Sequence, residues 1–231
     1  MKVLLFDVDG TLIRAGGAGR RALNAAAREL YGARDACSEL SLAGRTDLYN
    51  FHAAYRKAAG RRATRRELER LQEAYLSRLP RFVNAARREG RYEVPEGLPA
   101  LLKRLSRDPG ILLGLGTGNL ERGARIKLEP SGFNPYFRFG GFGSDALHRA
   151  ALLRKAAARA RRLARGRVSP RDVFVIGDTP FDVAAGREAG FRTVAVGTGF
   201  SEWKDLRAAK PDHLARDYRD LAAWLGIFSL K

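Results

Sequence analysis

The sequence predicts an α/β protein: a doubly wound, Rossmann-like parallel sheet core formed by residues 1–14 and 93–231, with a small all-helical cap domain inserted at 15–92. Three observations carry this reading. Short continuous apolar runs, VLLF (3–6), ILLGLGT (111–117), DVFVIGD (172–178) and FRTVAVG (191–197), have the length and composition of strands buried on both faces. Helical patterns alternate with the last three, as in a parallel sheet built from βαβ units. The segment 15–92 breaks that rhythm, being rich in Ala and Arg with helical spacing and no strand pattern.

In chain order, VLLF gives the first strand, and the insertion then supplies helices near 18–31, 47–59 and 64–89. In the last of these, Leu68, Leu71, Tyr75 and Leu79 recur every three or four residues and mark one buried face. EVPEGL (93–98) leads back into the sheet, and two chain crossings at neighbouring points would form a hinge. Helices follow over GLPALLKRLSR (97–107), NLERGARIKLE (119–129), ALHRAALLRKAAARARRLA (146–164) and TPFDVAAGREAG (179–190), interleaved with the three later strands. Trp203, Trp224 and the Phe133, Phe137, Phe139 cluster read as packing. No fixed-period repeat or low-complexity linker is present.

Composition bounds the function. With 45% hydrophobic and 29% charged residues, the 231-residue chain has what an ordinary globular core needs. One cysteine, Cys37, excludes an internal disulfide, and with three scattered histidines it cannot build a typical zinc site. No apolar stretch approaches the ~18 residues of a membrane span, and the first residues lack a signal-peptide pattern, so a cytoplasmic location is expected. The formal charge of +18 fits a protein handling anions. Its densest run, 154–167, reads as a solvated helix face whose buried side is Leu152, Leu153, Ala156, Ala160 and Leu163. No nucleic-acid motif supports a polyanion-binding reading, and a nucleic-acid partner is not expected.

Ligands of open α/β sheets bind at the carboxyl ends of strands. The first run ends in Asp7-Val8-Asp9-Gly10-Thr11, the second in Thr117-Gly118-Asn119, and the third in Gly177-Asp178-Thr179-Pro180-Phe181-Asp182. Carboxylates gathered at one edge repel one another unless a cation lies between them. Oxygen-only ligands select a hard divalent ion, Mg2+, which pairs naturally with phosphate. Gly10 suits a tight turn, and Thr117 can donate its hydroxyl to a phosphoryl oxygen. The GLGTG run (114–118) has G-x-G-x-G spacing in a later strand, and GGAG (16–19) lacks the Lys-Ser/Thr of a phosphate-binding loop.

DVDGT at 7–11, Thr117 in LGLGTGN, and Asp178 and Asp182 in VIGDTPFD together resemble the haloacid dehalogenase superfamily of hydrolases, in motif order and spacing along the whole chain. The resemblance implies Asp7 as the nucleophile forming an aspartyl-phosphate and Asp9 as general acid and then base. It implies Mg2+ held by Asp7, Asp178 and the backbone carbonyl of Asp9, with Asp182 supporting it. The family's third motif, usually a lysine before proline, is absent. Arg149 stands in the expected place and can bind a phosphoryl group bidentately. Lys127 is the fallback, and the ~1.5 Å rise per residue of its helix suggests that it lies too far from the strand end. In GRTD (44–47), Arg45 either binds a second anionic group of the substrate or faces solvent while Thr46 or Asp47 caps the next helix.

The small helical insertion and the TGN strand end, with Gly118 and Asn119 as substrate-binding positions, resemble phosphoglycolate phosphatases. The expected function is thus Mg2+-dependent hydrolysis of a small phosphomonoester, of the phosphoglycolate or sugar-phosphate type. A sugar-phosphate mutase is the alternative. A Schiff-base hydrolase would have to use Lys57, the single lysine of the insertion, and a nucleic-acid-binding protein with a vestigial site stands further off.

Overall fold

A computed structural model describes the chain apart from residues 38, 41, 43, 165, 166 and 231. In chain order the elements are β1 (Lys2–Phe6), β2 (Arg14–Ala15), α1 (Ala18–Tyr31), α2 (Asp47–Ala59), α3 (Arg65–Arg88), β3 (Tyr92–Glu93), α4 (Leu98–Ser106), β4 (Ile111–Gly116), α5 (Glu121–Leu128), β5 (Gly140–Gly141), α6 (Arg149–Leu163), β6 (Val173–Gly177), α7 (Pro180–Ala189), β7 (Arg192–Val196), α8 (Trp203–Ala208), β8 (His213–Ala215) and α9 (Leu221–Ile227). Six strands form one parallel sheet in the order β5-β4-β1-β6-β7-β8.

That order makes the three acid- and hydroxyl-bearing strand ends neighbours. Strands are added on one side of β1 through β4 and β5, then on the other from β6, so the order reverses beside β1, where open α/β sheets bind ligands. The register aligns these ends: Phe6 pairs with both Leu115 and Ile176, so Asp7, Thr117 and Asp178 all leave the sheet at nearly the same level.

Side chains alternate across β1. Leu4 and Phe6 join the larger apolar cluster with Leu101, Leu113, Trp224 and Phe228. Val3 and Leu5 face the opposite layer, where Leu152, Ala156 and Ala185 of α6 and α7 cover the sheet. The larger cluster runs without interruption into the insertion through Phe51, Leu71 and Leu79.

The insertion helices have local causes. Thr46 caps α2 by accepting from the Tyr49 N–H (3.3 Å), and Thr64 with Glu67 forms a capping box at α3. Gly32 and Gly60, both left-handed, end α1 and α2. Where the chain leaves and re-enters the sheet, β2 and β3 pair antiparallel, a ribbon that two-residue segments cannot announce by alternation.

Other departures are small. β5 and β8 were too short to read from the sequence, and α6 begins at Arg149 rather than 146. Leu163, expected on the buried side of α6, is 54% exposed because the helix ends there; in the same basic run, residues 165 and 166 lie outside the described residues. Trp224, Phe133, Phe137 and Phe139 are buried as expected, while Trp203 is partly exposed beneath Arg216. Among the described residues no helix is long and apolar enough to cross a membrane.

Candidate active site

The turn after β1 sets the floor of the site. Gly10 adopts φ 85° and closes the turn by donating its N–H to Ile13 O (2.7 Å). A Cβ there would run into the Asp178 carboxylate, so glycine is required both by the backbone and by the close approach of a second strand end. Thr11 donates its hydroxyl to Asp178 Oδ1 (3.0 Å), and the Phe200 N–H donates to Asp178 Oδ2 (2.9 Å).

Asp7, Asp178 and Asp182 converge, with one oxygen from each lying within 4.8 Å of the others, and all three are buried. Desolvation pushes the Asp178 carboxyl well above the usual carboxylate range, and Asp182 and Asp7 push it further. Asp7 is raised chiefly by burial, although Arg149 and a Thr117 hydrogen bond oppose the shift. Arg149 bridges Asp7 Oδ2 (3.4 Å) and Asp182. Its burial disfavours charge, but the two carboxylates outweigh that and hold the guanidinium firmly protonated.

One guanidinium against three buried carboxylates leaves an acidic surplus. An all-oxygen donor set of this kind, crowded and with Asp7 and Asp178 raised in pKa, fits a hard divalent cation. Asp182 is the most occupied member: its Oδ2 accepts from the Thr179 N–H (3.0 Å) and hydroxyl (2.7 Å) in the capping box of α7.

Residues 1–190 match the haloacid dehalogenase-like hydrolase family. The chain belongs to that family. A phosphoglycolate phosphatase of Synechococcus elongatus is 31% identical over 125 residues, which is 54% of this chain and 56% of the relative, so the match spans little more than half of either. Among solved structures, CbbY from Rhodobacter sphaeroides in complex with phosphate superimposes with a TM-score of 0.72 at 19% identity, covering 96% of both chains. A hydrolase from Pseudomonas syringae gives 0.70 at 18% identity, covering 98% of this chain and 99% of that one. These two share the fold.

In this hydrolase the second half of the site is built around Asp9, whose carboxylate turns away from the acidic cluster. It accepts from Asn119 Nδ2 (2.9 Å) and from Lys127 Nζ (2.6 Å), while Lys127 also donates to Asn119 Oδ1 (2.6 Å). Asn119 Nδ2 bonds Thr117 Oγ1 as well (2.9 Å), tying the two strand ends together. Burial disfavours the Lys127 charge, yet Asp9, backed by Tyr75 and Asp47, raises its pKa above the ordinary lysine value.

The expectation that Lys127 lies too far away is therefore corrected. Helical side chains lean toward the helix N-terminus, and the long lysine stem spans the turns that the backbone rise had counted against it. Arg149 and Lys127 both reach the site, one at Asp7 and the other at Asp9.

A cavity of about 260 Å³ opens from these groups, walled by the insertion through Arg20, Arg45, Asp47, Asn50, Phe51 and Tyr75. Thr46 does cap α2, yet Arg45 also borders the cavity, its guanidinium 4.4 Å from the Tyr49 ring centre. The capping alternative for GRTD is thus seen at Thr46, with Arg45 exposed at the cavity edge. Gly118 lies so close beneath this loop that a Cβ would strike the Arg45 carbonyl, and its own carbonyl accepts from the Asp47 N–H (2.7 Å). Lys57 pairs with Glu39 on the surface (2.8 Å) and is not in the cavity wall, which removes the geometric basis for a Schiff-base reaction.

Sequence reasoning missed Asp47 as a cavity carboxylate. Burial pushes its pKa up to about 6, although Lys127 and the Leu120 N–H (2.9 Å) favour its charge. Nothing in its local sequence sets it apart from a helix-initiating acid. Thr11 was legible within DVDGT, whereas the Phe200 N–H, a backbone donor from a distant loop, left no signal in its side chain.

Proposed function

We propose that this hydrolase is a phosphatase acting on a small phosphomonoester through an aspartyl-phosphate at Asp7. The observation that carries the reading is the convergence of Asp7, Asp178 and Asp182 with Arg149 on a floor from which Asp9 stands two residues away. Asp7, Asp178 and the Asp9 carbonyl would hold Mg2+, with Asp182 alongside; when bound, the ion neutralises phosphoryl charge.

Asp7 attacks phosphorus while the leaving oxygen takes a proton from Asp9, and Asp9 then draws a proton from the water that cleaves the acyl phosphate. Thr117 donates to a phosphoryl oxygen, and Arg149 offers the transferring group a guanidinium held in place by Asp182. Lys127 and Asn119 hold Asp9 at the boundary between the phosphoryl floor and the leaving-group cavity. Gly118 lets the insertion approach the strand ends, and Arg45 lines the leaving-group side. The insertion, residues 15–92, acts as a cap domain over a core of 1–14 and 93–231, excluding bulk water.

The test is phosphate release from a panel of phosphomonoesters, phosphoglycolate and sugar phosphates included, with and without Mg2+. Release that requires Mg2+ and is lost in Asp7→Asn, by at least about 10³-fold as expected when a nucleophile is removed, supports the reading. Retained turnover in that variant refutes the role of Asp7. Isomerised sugar phosphate without free phosphate would make the protein a mutase. Salt-dependent retention on nucleic acid with no turnover would favour the binding-protein reading instead.

A further inference from the structure

Large apolar side chains left exposed on a soluble protein are informative when they cluster. Among the described residues the exposed ones are Tyr49 (45%), Leu147 (56%), Leu163 (54%), Phe181 (49%) and Phe200 (60%). Leu163 sits at the C-terminal end of α6, whereas Phe200 lines the active-site cavity and Tyr49, Phe181 and Leu147 are tied to Arg45 and Thr46 beside it.

Phe200 and Arg45 line the cavity itself. The Arg45 guanidinium lies 4.4 Å from the Tyr49 ring centre and 5.8 Å from that of Phe181. Leu147 is tied to the same lip, because its carbonyl accepts from the Thr46 hydroxyl (3.3 Å). Arg14 sits 5.8 Å from the Phe200 ring centre and donates to the carbonyls of Thr198 (2.9 Å) and Gly199 (2.7 Å), pinning the loop that carries the ring. The rings are held in place, half in water, and none takes part in the phosphoryl chemistry derived above.

We propose that this aromatic rim receives a planar aromatic portion of the substrate, so that the substrate class is a nucleoside monophosphate. The inference rests on the phosphatase reading and specifies its leaving group. With the phosphoryl group on the Asp7 floor and the ester oxygen beside Asp9, the cavity between floor and rim takes the sugar, and the base lies against the rings. Base stacking on aromatic side chains is sequence-tolerant and is worth about 1–3 kcal/mol per base. The flat Arg45 guanidinium adds a stacking surface and an edge of N–H donors for base oxygens and nitrogens.

Steady-state phosphate release should be compared for adenosine 5′-monophosphate, ribose 5-phosphate and glycerol 3-phosphate. The expected result is a kcat/KM for the nucleotide about 5- to 150-fold above that for ribose 5-phosphate, the stacking range expressed as a ratio. Phe181→Leu and Phe200→Leu keep apolar bulk and remove the ring; each should shrink that ratio toward one. Ribose 5-phosphate turned over as well as the nucleotide, or an equal loss on both substrates in the leucine variants, overturns the proposal and assigns the rim to closure of the insertion. If none of the three is hydrolysed, release from phosphoglycolate and the rest of the phosphomonoester panel decides the phosphatase reading, and calorimetry with the Asp7→Asn protein decides the rim separately. Tighter binding of the nucleotide than of ribose 5-phosphate supports it, while equal or undetectable binding of both refutes it.

Discussion

Lys127 shows how much one side chain governs at this site. It joins Asp9 to Asn119 and stands against Asp47, so removing its charge leaves carboxylates facing one another and an amide oxygen unpaired. Lys127→Met is expected to cost about 2–4 kcal/mol, below the ~3–5 kcal/mol of a fully buried pair because a third of the Asp9 side chain is exposed. Urea unfolding checks the size; a loss under about 0.5 kcal/mol would mean that the pair contributes little. The acidic cluster predicts a pH dependence. Folding raises the Asp178 pKa, so between about pH 4 and the raised value the native protein keeps a proton that the unfolded chain has released. Metal-free stability must therefore fall as pH rises through this window. Mg2+ bound there as proposed would displace that proton, so its stabilising effect is expected to grow with pH. Calorimetric Tm values in EDTA and in Mg2+, at about pH 5 and about pH 8, measure this; a larger Mg2+ increment at the lower pH would contradict it.

At the scale of elements, α3 is a 24-residue helix that carries Pro80 in its interior. Proline there removes a backbone hydrogen bond and crowds the preceding turn, at a cost of about 3 kcal/mol. Because Pro80 is exposed and α3 stays continuous through it, Pro80→Ala should stabilise the protein by about 1–3 kcal/mol, less whatever the proline saves in unfolded-chain entropy. An unchanged or lowered urea midpoint would show that the helix has already absorbed the strain. The elements also show what was legible. Helices α1, α2 and α3 fall within a residue of the spans read from periodicity, since their apolar faces and Thr46, Thr64, Gly32 and Gly60 caps are encoded locally. The pairs β2–β3, β4–β5 and β7–β8 involve segments too short to carry a period, and their partners are distant in the chain.

Over the whole molecule the charge is +18, with 43 basic and 25 acidic residues. Several of the ion pairs, such as Arg65–Glu69 and Lys204–Glu202, are mostly exposed and contribute little. Net self-repulsion then opposes compactness, and screening should relieve it. Tm is expected to rise between about 20 mM and about 200 mM NaCl, as the Debye length shortens from roughly 20 Å to less than 10 Å. A fall in Tm over that range would show that the ion pairs outweigh the repulsion. Salt would leave the Asp7–Arg149–Asp182 group largely untouched, since buried pairs are poorly screened.

The amino-acid sequence by itself determined the alternation of strands and helices, the helical insertion and the three strand ends bearing Asp7, Thr117 and Asp178, because periodicity, caps and strand-end residues act over a few neighbours. Only the tertiary structure decided that Lys127 meets Asp9, that Asp47 faces the cavity, that the Phe200 backbone holds Asp178, and that exposed Phe200 lines the cavity while Tyr49 and Phe181 flank Arg45 beside it. Each of these depends on how long side chains and distant loops converge at the edge of the sheet, and that convergence is fixed by packing across the whole fold.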